Sequence, residues 1–303
     1  MKDLREYLKD FMLKLDFPDE ARRIFLEADN SLNLNPIYMD EMKDIIDEFY
    51  FRSGHENIEH IIDRLTCLSE KANIHVYTMY LLFYIYSSHI LLQNYEEAGI
   101  PTKIFWDSMA DLKYKLWECH DVHGVWGTFV ERWFVGFFVM TRFALGRLQY
   151  ERIPFAYERY ERAGNVIKKG DIVYNIHIPS SGPLTLGARM DSYKKAYDFF
   201  KDELDRKPMP IVCNSWLLYP DNEKFYKKGS NIIDFMHDFE IIDTRDQEGF
   251  PDAWRIFGKH HERPISQWPT DTSLQRSYVK WLKAGNKVGT GYGILLFDGE
   301  KIL

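Results

Sequence analysis

The sequence has little cysteine and no pattern of a disulfide framework. Its 303 residues include three cysteines, an odd number at distant positions: Cys67, Cys119 and Cys213. A secreted domain held by disulfides carries paired cysteines at close spacing, so we expect a protein of the reducing cytoplasm. The N-terminus alternates charged and apolar residues and lacks the continuous apolar stretch of a secretory signal.

The chain also lacks an excess of positive charge. It has 39 Lys and Arg against 46 Asp and Glu, a net charge of −7 and a pI near 5.8. Nucleic-acid binding requires a basic face for phosphates, so we expect no nucleic-acid partner. His237, His260 and His261 show no metal-ligand spacing with one another or with the cysteines, so we expect no metal.

One segment is long enough to raise the question of a membrane. Residues 74–92 are 19 residues without a formal charge, which is enough to span a bilayer. The segment contains Thr78, Ser87 and His89, and no basic cluster flanks it to orient it in a membrane. We therefore expect a helix buried within a helical bundle and no membrane association.

The first half of the chain shows helical spacing of apolar residues throughout. It contains no segment with clean strand alternation and no repeat of fixed period. Helices are predicted before residue 17, from Pro18, and at 36–51, 56–70, 74–96, 104–117 and 126–145. The last of these is apolar on almost every side and is predicted to be the central helix. Residues 1–143 are therefore predicted to form an all-helical domain.

The pattern changes near Gly146, where alternating strands and Gly- or Pro-containing turns begin. Strands are predicted at 147–153, 156–161, 171–178, 211–219, 239–246 and 288–298, with helices between the later ones. The predicted fold class is α+β, in which residues 144–303 form a mixed α/β sheet domain of about five to seven strands.

The stretch at 171–206 combines a strand, a short loop and a helix. Alternation places Tyr174 and Ile176 on one strand face and Asn175 and His177 on the other. The loop PSSGPLT then leads into a helix predicted at 185–206, whose first turn has free backbone N–H groups that can hold an anion. This predicts a ligand site at the carboxyl end of the strand.

Four motifs of the second half resemble a bacterial family of two-domain acyltransferases. They are HIPSSGPL (177–184), CNSWLLYP (213–220), SNIIDF (230–235) and DTSLQR (271–276). In that family a helical domain precedes a domain similar to the GNAT acyltransferase fold. The resemblance implies that strands 171–178 and 211–219 part to admit the pantetheine of acetyl-CoA or a longer acyl-CoA. It also implies that the pyrophosphate lies on the loop at Ser180, Ser181 and Gly182.

The loop departs from the usual GNAT pattern of two nearby small residues. It has one glycine, Gly182, and Pro183 removes an N–H that a pyrophosphate would use. The resemblance implies transfer of an acyl group to a small-molecule amine. The altered loop leaves open a binding protein on a degenerate GNAT-like fold that has lost the reaction.

His177 is the first catalytic candidate, because imidazole titrates near neutrality and can take a proton from an amine. The alternative is a structural histidine that bonds the backbone or Asn175. Cys213 and Ser215 share a face of the next predicted strand. With His177 they could form a nucleophile and its base, as in a thioester hydrolase, although a mid-strand cysteine is usually a small buried apolar group.

Four further positions are candidates, Tyr219 for catalysis and Ser273, Gln275 and Arg276 for substrate binding. Tyr219, at the end of the second strand, could protonate the departing thiolate, as tyrosines do in GNAT-like enzymes; the alternative is a packed aromatic. Ser273, Gln275 and Arg276 combine a helix start with a guanidinium that could hold a carboxylate or phosphate. The alternative is a capped helix whose arginine pairs with a surface acid.

Two residues that flank the predicted cleft complete the substrate-binding set, namely Asn175 and Trp216. The sequence does not indicate the acceptor, the acyl length or the oligomeric state.

Overall fold

The structure is a computed structural model that describes residues 4–52, 54–205 and 207–303. The chain divides into two compact units, Met1–Thr141 (unit 1) and Arg142–Leu303 (unit 2). The division falls two residues before the predicted domain boundary. Arg206, the last residue of the helix predicted at 185–206, lies outside the described residues.

Unit 1 is helical, as predicted. Its helices are α1 (Leu4–Lys14), α2 (Asp19–Leu34), α3 (Pro36–Phe51), α4 (Ile58–Ala72), α5 (Val76–Glu97), α6 (Thr102–His123) and the single turn α7 (Val135–Phe138). The start of α3 shows how the sequence sets these bounds. The Asn35 side chain accepts a hydrogen bond from the backbone N–H of Ile37 (3.1 Å), and Pro36 occupies the first helical position.

Helix α5 is the buried helix of unit 1. All eleven residues from 78 to 88 are buried. Its tyrosines bury their hydroxyls with partners: Tyr84 donates to the Glu131 carbonyl (2.7 Å), and Tyr86 donates to the Asp29 carboxylate (2.6 Å). Within the described part of the chain, no helix combines the length and the apolar character that crossing a membrane requires.

The prediction of a helix at 126–145 is wrong. The segment consists of turns, then α7, then the strand β1 (Arg142–Leu145). Gly127 lies so close to the backbone of α5 that a Cβ there would be 2.3 Å from the Tyr77 carbonyl carbon, and the Thr128 N–H donates to the Tyr77 carbonyl (2.9 Å). An apolar run alone does not distinguish a buried helix from a buried strand.

Unit 2 contains a six-stranded mixed sheet, as predicted, and a separate hairpin. The strands are β1, β2 (Leu148–Pro154), β3 (Arg159–Arg162), β4 (Asn165–Lys168), β5 (Ile172–His177), β6 (Met209–Ser215), β7 (Glu240–Gln247) and β8 (Val288–Phe297). The helices are α8 (Leu186–Phe200), α9 (Asn231–Met236), α10 (Trp254–Phe257) and α11 (Ser273–Lys283). The sheet order is β1-β2-β5-β6-β8-β7, and only β5 and β6 pair in parallel, while β3 and β4 form the hairpin.

The two faces of this sheet are covered differently. Helix α8 packs on the face that carries Tyr150 and Tyr174, called the helix face; the Tyr174 ring lies 4.5 Å from the Phe200 ring of α8. The hairpin and its neighbours cover the opposite face, called the hairpin face, where one buried cluster joins Val173, Val212 and Ile294 with Tyr160 and Ile167 of the hairpin. Alternation along a strand therefore decides whether a side chain lies on the side of helix α8 or on the side of the hairpin.

Candidate functional site

The sheet opens between β5 and β6. These parallel strands pair only at Tyr174↔Ile211 and Asn175↔Val212. Beyond those pairs, β5 stays bonded to β2 through its last residue, and β6 stays bonded to β8 through Ser215. The two neighbouring ladders continue while the ladder between them ends. Residues 176–177 of β5 and residues 213–215 of β6 are therefore not paired with each other at the carboxyl ends of the two strands, and we call this separation of the strands the cleft.

His177 lies at this cleft and forms a hydrogen bond with the carboxylate of Glu151. Its Nε2 is 2.9 Å from Oε2 of Glu151 on β2, and the Asn175 amide nitrogen is 3.3 Å from the same Nε2. The His177 and Glu151 side chains are 18% and 21% exposed, so the pair is largely shielded from water. A proton on Nε2 that is donated to Glu151 leaves Nδ1 as the basic atom of the ring.

The Glu151 carboxylate is kept ionised by its neighbours. Arg142 on β1 donates to Glu151 Oε2 from 2.9 Å, and Arg142 is itself buried. Burial raises the pKa of Glu151, but the hydrogen bond with His177 and the charge of Arg142 outweigh burial and lower that pKa to about 2. Glu151 is therefore a fixed negative charge that orients the imidazole at neutral pH.

Cys213 does not pair with His177, contrary to one sequence hypothesis. The register places Asn175 beside Val212, so Asn175 and His177 belong to the hairpin face while Cys213 belongs to the helix face. Burial raises the pKa of the Cys213 thiol to about 12, so the thiol stays protonated at neutral pH. The structure thus separates the proposed nucleophile from its proposed base.

Ser215 and Tyr219 also have structural partners. The Ser215 hydroxyl accepts from the Leu217 N–H (3.1 Å) and caps the turn that follows β6. The Tyr219 hydroxyl donates to the Asp246 carboxylate (2.8 Å). Burial and the Asp246 carboxylate raise the pKa of Tyr219 to about 12, which makes its phenol a weaker acid. Its ring fills the space above Gly289 on the helix face.

Two arginines hold the second half of the loop between β5 and α8. Arg147, at the β1–β2 turn, donates to the Gly182 carbonyl (2.6 Å). Arg189 of α8 is buried, donates to the Leu184 carbonyl (2.6 Å) and forms an ion pair with Asp238 (2.6 Å). Ser180, Ser181 and Gly182 are exposed. The loop is thus a fixed, exposed segment next to the start of α8, and Arg147 adds a positive charge beside it.

The predicted anion site at the start of α11 is a capped helix. Thr272 caps α11 in a reciprocal pair with Gln275, and Gln275 also donates to the Ile256 carbonyl (3.0 Å). Arg276 donates to the carbonyls of Thr270 (2.9 Å) and Asp271 (2.7 Å), so it does not form the expected pair with a surface acid. Ser273, the first residue of α11, is exposed.

Trp216 is the first residue after β6 and therefore borders the mouth of the cleft. Its ring lies 6.0 Å from Tyr278 and 6.1 Å from Phe250. Residues 4–52, 54–205 and 207–303 contain no group of three acidic, histidine or cysteine side chains arranged to hold a metal ion.

Sequence reasoning missed Glu151 and Arg142, the partners that orient His177. A signal for Glu151 was present: it is the one acidic residue of the strand predicted at 147–153, on the strand face opposite to Leu148 and Tyr150. Its pairing with Asn175 across β2 and β5 depends on strand register, which the spacing within either strand does not encode.

Two family models match consecutive parts of the chain. Residues 6–140 match the N-acyltransferase N-terminal domain, and residues 143–295 match the GNAT-like C-terminal domain. No curated protein matches the chain.

Solved structures with the same fold span nearly the whole chain. One is an acyltransferase in complex with decanoyl-CoA and teicoplanin, at 18% identity and a TM-score of 0.72, covering 95% of this chain and 87% of that one. Another is an acyltransferase mutant in complex with octanoyl-CoA, also at 18% identity and a TM-score of 0.72, covering 96% and 88%. At this identity the likeness shows a shared fold.

Proposed function

Because the chain belongs to the family of N-acyltransferases with a helical N-terminal domain and a GNAT-like C-terminal domain, we propose that it transfers an acyl group from a CoA-type thioester to the amine of a small-molecule acceptor. The observation that carries this proposal is the end of the β5–β6 ladder after Asn175, directly beside His177. An opening between parallel strands admits an extended thioester arm, and the histidine supplies a base where the thioester would lie.

The cleft and the loop would bind two different parts of a CoA thioester, the pantetheine arm and the pyrophosphate. The pantetheine arm would lie in the cleft, where the unpaired backbone of β5 and β6 can bond its amides. The pyrophosphate would lie on the exposed loop at Ser180, Ser181 and Gly182, next to the α8 N-terminus and Arg147. Pro183 removes one N–H, and the Arg147 charge offsets part of that loss. Solved neighbours that hold decanoyl-CoA and octanoyl-CoA favour a medium-length acyl group.

The reaction uses His177 as the general base. The amine nitrogen forms a bond to the thioester carbonyl carbon, and the nitrogen gives up a proton to His177 Nδ1. The C–S bond then breaks, and the proton passes from the imidazolium to the thiolate that leaves. Glu151 stabilises the imidazolium and fixes its orientation, and Asn175 borders the same nitrogen. Trp216, at the cleft mouth, is a candidate contact for the acceptor.

The alternative of a Cys/His thioester hydrolase has no support in the geometry, because Cys213 faces away from His177 and is buried. Tyr219 is not needed as the acid in our account, because its hydroxyl already donates to Asp246 and the imidazolium can return the proton.

The proposal is tested by titrating the folded protein calorimetrically with decanoyl-CoA, octanoyl-CoA and acetyl-CoA, and by measuring thiol release with a panel of primary amines. We expect micromolar binding of the longer thioesters and amine-dependent release of CoA. Absence of heat with all three thioesters would overturn the proposal. Binding without release for any amine would support a binding protein instead.

A further inference from the structure

Two segments of unit 2 carry positive charge without any acid. Residues 224–233 contain three lysines, and residues 272–287 contain four lysines or arginines; neither segment contains Asp or Glu. Unit 2 as a whole has 25 Lys and Arg against 22 Asp and Glu, whereas unit 1 has 14 against 24. The positive charge of this acidic protein is therefore concentrated locally.

Aromatic packing brings the two segments together. The Phe225 ring stacks on the Trp281 ring of α11 with centroids 4.8 Å apart and planes 25° apart. The neighbouring Tyr226 hydroxyl lies 2.9 Å from the Tyr278 hydroxyl, and both tyrosines are buried. The acid-free segment 224–233 is thus fixed against the acid-free helix α11.

Four of these cations lack acidic partners. Lys227, Lys228, Lys280 and Lys283 are exposed, and none forms an ion pair within the described ranges 4–52, 54–205 and 207–303. The other cations are engaged: Lys224 pairs with Asp221, Lys287 pairs with Asp246, and Arg276 binds backbone carbonyls. The four are called the lysine patch.

The lysine patch lies toward the end of the sheet at which the cleft opens, the carboxyl ends of β5 and β6. Residues 216–226 connect the carboxyl end of β6 to Lys227 and Lys228. Strand β8 runs antiparallel to β6 and pairs Gly291 with Ser215, so the chain between α11 and β8 reaches the same end of β6. A partner on this surface would be beside the place where the proposed thioester enters.

We propose that the lysine patch docks a small acidic protein that carries the acyl thioester on a phosphopantetheine arm. This inference rests on the proposed function, because the arm would use the same cleft as the pantetheine of CoA. The positive charge of the lysine patch is complementary to that of an acidic carrier protein, and surface lysines of this kind steer and orient an acidic partner.

The arrangement of the four lysines favours a protein surface over two other anions. They lie on two separate elements, α11 and the segment 224–233, whereas the donors to a single phosphate converge on one point. Stable membrane binding also requires apolar insertion. The exposed large apolar side chains of the described residues lie elsewhere, for example at Leu34, Phe51 and Leu186.

The test compares two double variants in binding assays on the full chain. Lys280→Glu with Lys283→Glu reverses half of the patch. Lys194→Glu with Lys201→Glu makes the same change in net charge on α8 and the turn after it, at exposed lysines of the same unit. Fluorescence anisotropy measures affinity for a labelled acyl carrier protein charged with a decanoyl group, at low and high salt. Calorimetry measures affinity for decanoyl-CoA.

We expect the patch variant to weaken carrier binding by about tenfold or more at low salt and the control variant by less than about twofold. Neither variant should change the affinity for decanoyl-CoA. If decanoyl-CoA binds and the carrier does not, the docking inference fails while the proposed function stands; if neither binds, both fail. Equal losses for carrier and decanoyl-CoA would assign the patch to CoA itself. Binding to phosphatidylglycerol vesicles without carrier binding would make it a membrane surface and overturn the inference.

Discussion

Titratable residues lie on both faces of the unit 2 sheet, but their surroundings differ between the two faces. On the hairpin face, Glu151, His177 and Arg142 form a connected set of charged and titratable groups at the open end of the cleft. On the helix face, the Cys213 side chain and the Tyr219 ring are packed, and the thiol and the phenol hydroxyl stay protonated at neutral pH. His177 and Cys213 are one register position apart on neighbouring strands, and they differ in chemistry because alternation sends them to opposite sides.

This difference teaches that proximity along the sequence is a poor guide to a catalytic pair in a sheet. Cys213 and His177 belong to neighbouring strands and were candidates for one reaction. The register assigns the histidine a carboxylate partner and leaves the thiol among apolar groups. The following experiments separate the two faces, beginning with the largest expected effect.

Substitution of His177 tests the hairpin face directly. For an amine that supports turnover, we expect His177→Ala to lower kcat by about 10³-fold while decanoyl-CoA affinity changes little, because a general base is lost. His237→Ala is the matched control, since His237 also contacts a glutamate, Glu223, but is exposed. Steady-state kinetics measures both. Equal effects of the two variants would contradict the assignment.

Substitution of Glu151 tests whether the carboxylate positions the imidazole. Glu151→Gln keeps the size and an acceptor oxygen but loses the charge that stabilises the imidazolium, so we expect kcat to fall roughly 10- to 100-fold with KM nearly unchanged. Glu151→Asp should recover part of the loss if charge is what matters. A Gln variant as active as the wild type would show that Glu151 serves the fold alone.

Acid stability gives an independent view of the same carboxylate. The pKa of Glu151 is lowered from 4.5 to about 2, so its stabilising contribution is complete above pH 4.5 and is lost as pH falls toward 2. We expect wild type to exceed Glu151→Gln by roughly 1–3 kcal/mol in unfolding free energy at neutral pH, with the gap narrowing below pH 4.5. Denaturant titrations at several pH values measure it. A gap that widens in acid would reverse the sign and refute this account.

On the helix face, loss of the Tyr219 hydroxyl should be mild. Tyr219→Phe removes one hydrogen bond to Asp246, which costs about 1 kcal/mol of stability, and should change kcat by less than about tenfold. Chemical denaturation and kinetics measure the two effects. A loss of kcat as large as that of His177→Ala would instead identify Tyr219 as the acid.

The smallest effect is expected for Cys213. Cys213→Ala should keep activity within about threefold, because a buried thiol of this kind is a small apolar group. A thiol reagent should label the exposed Cys67 first in the native protein and react with Cys213 only on unfolding. Rapid native labelling of Cys213 that also abolishes activity would restore the thiol to the reaction.

Sequence patterns predicted what depends on local spacing. The β5 strand, the loop after it and the position of His177 followed from alternation and from Gly and Pro, and the capped start of α11 was one of two alternatives for residues 273–276. Patterns failed where distant contacts decide. The run at 126–145 is not one helix, because Gly127 packs against the Tyr77 backbone and because Met140, with φ 57°, turns the chain before β1. The Glu151–His177 pair depends on the register of β2 against β5.

The most direct test of the central claim is a crystal structure of the protein with decanoyl-CoA. The account predicts that the pantetheine arm lies between residues 176–177 of β5 and residues 213–215 of β6, with the thioester carbonyl beside His177. A second opening, a groove of about 630 Å³ lined by Arg152, Glu203 and Pro210, lies at the opposite end of the same strands. Decanoyl-CoA bound in that groove, with β5 and β6 unoccupied at their carboxyl ends, would contradict the account.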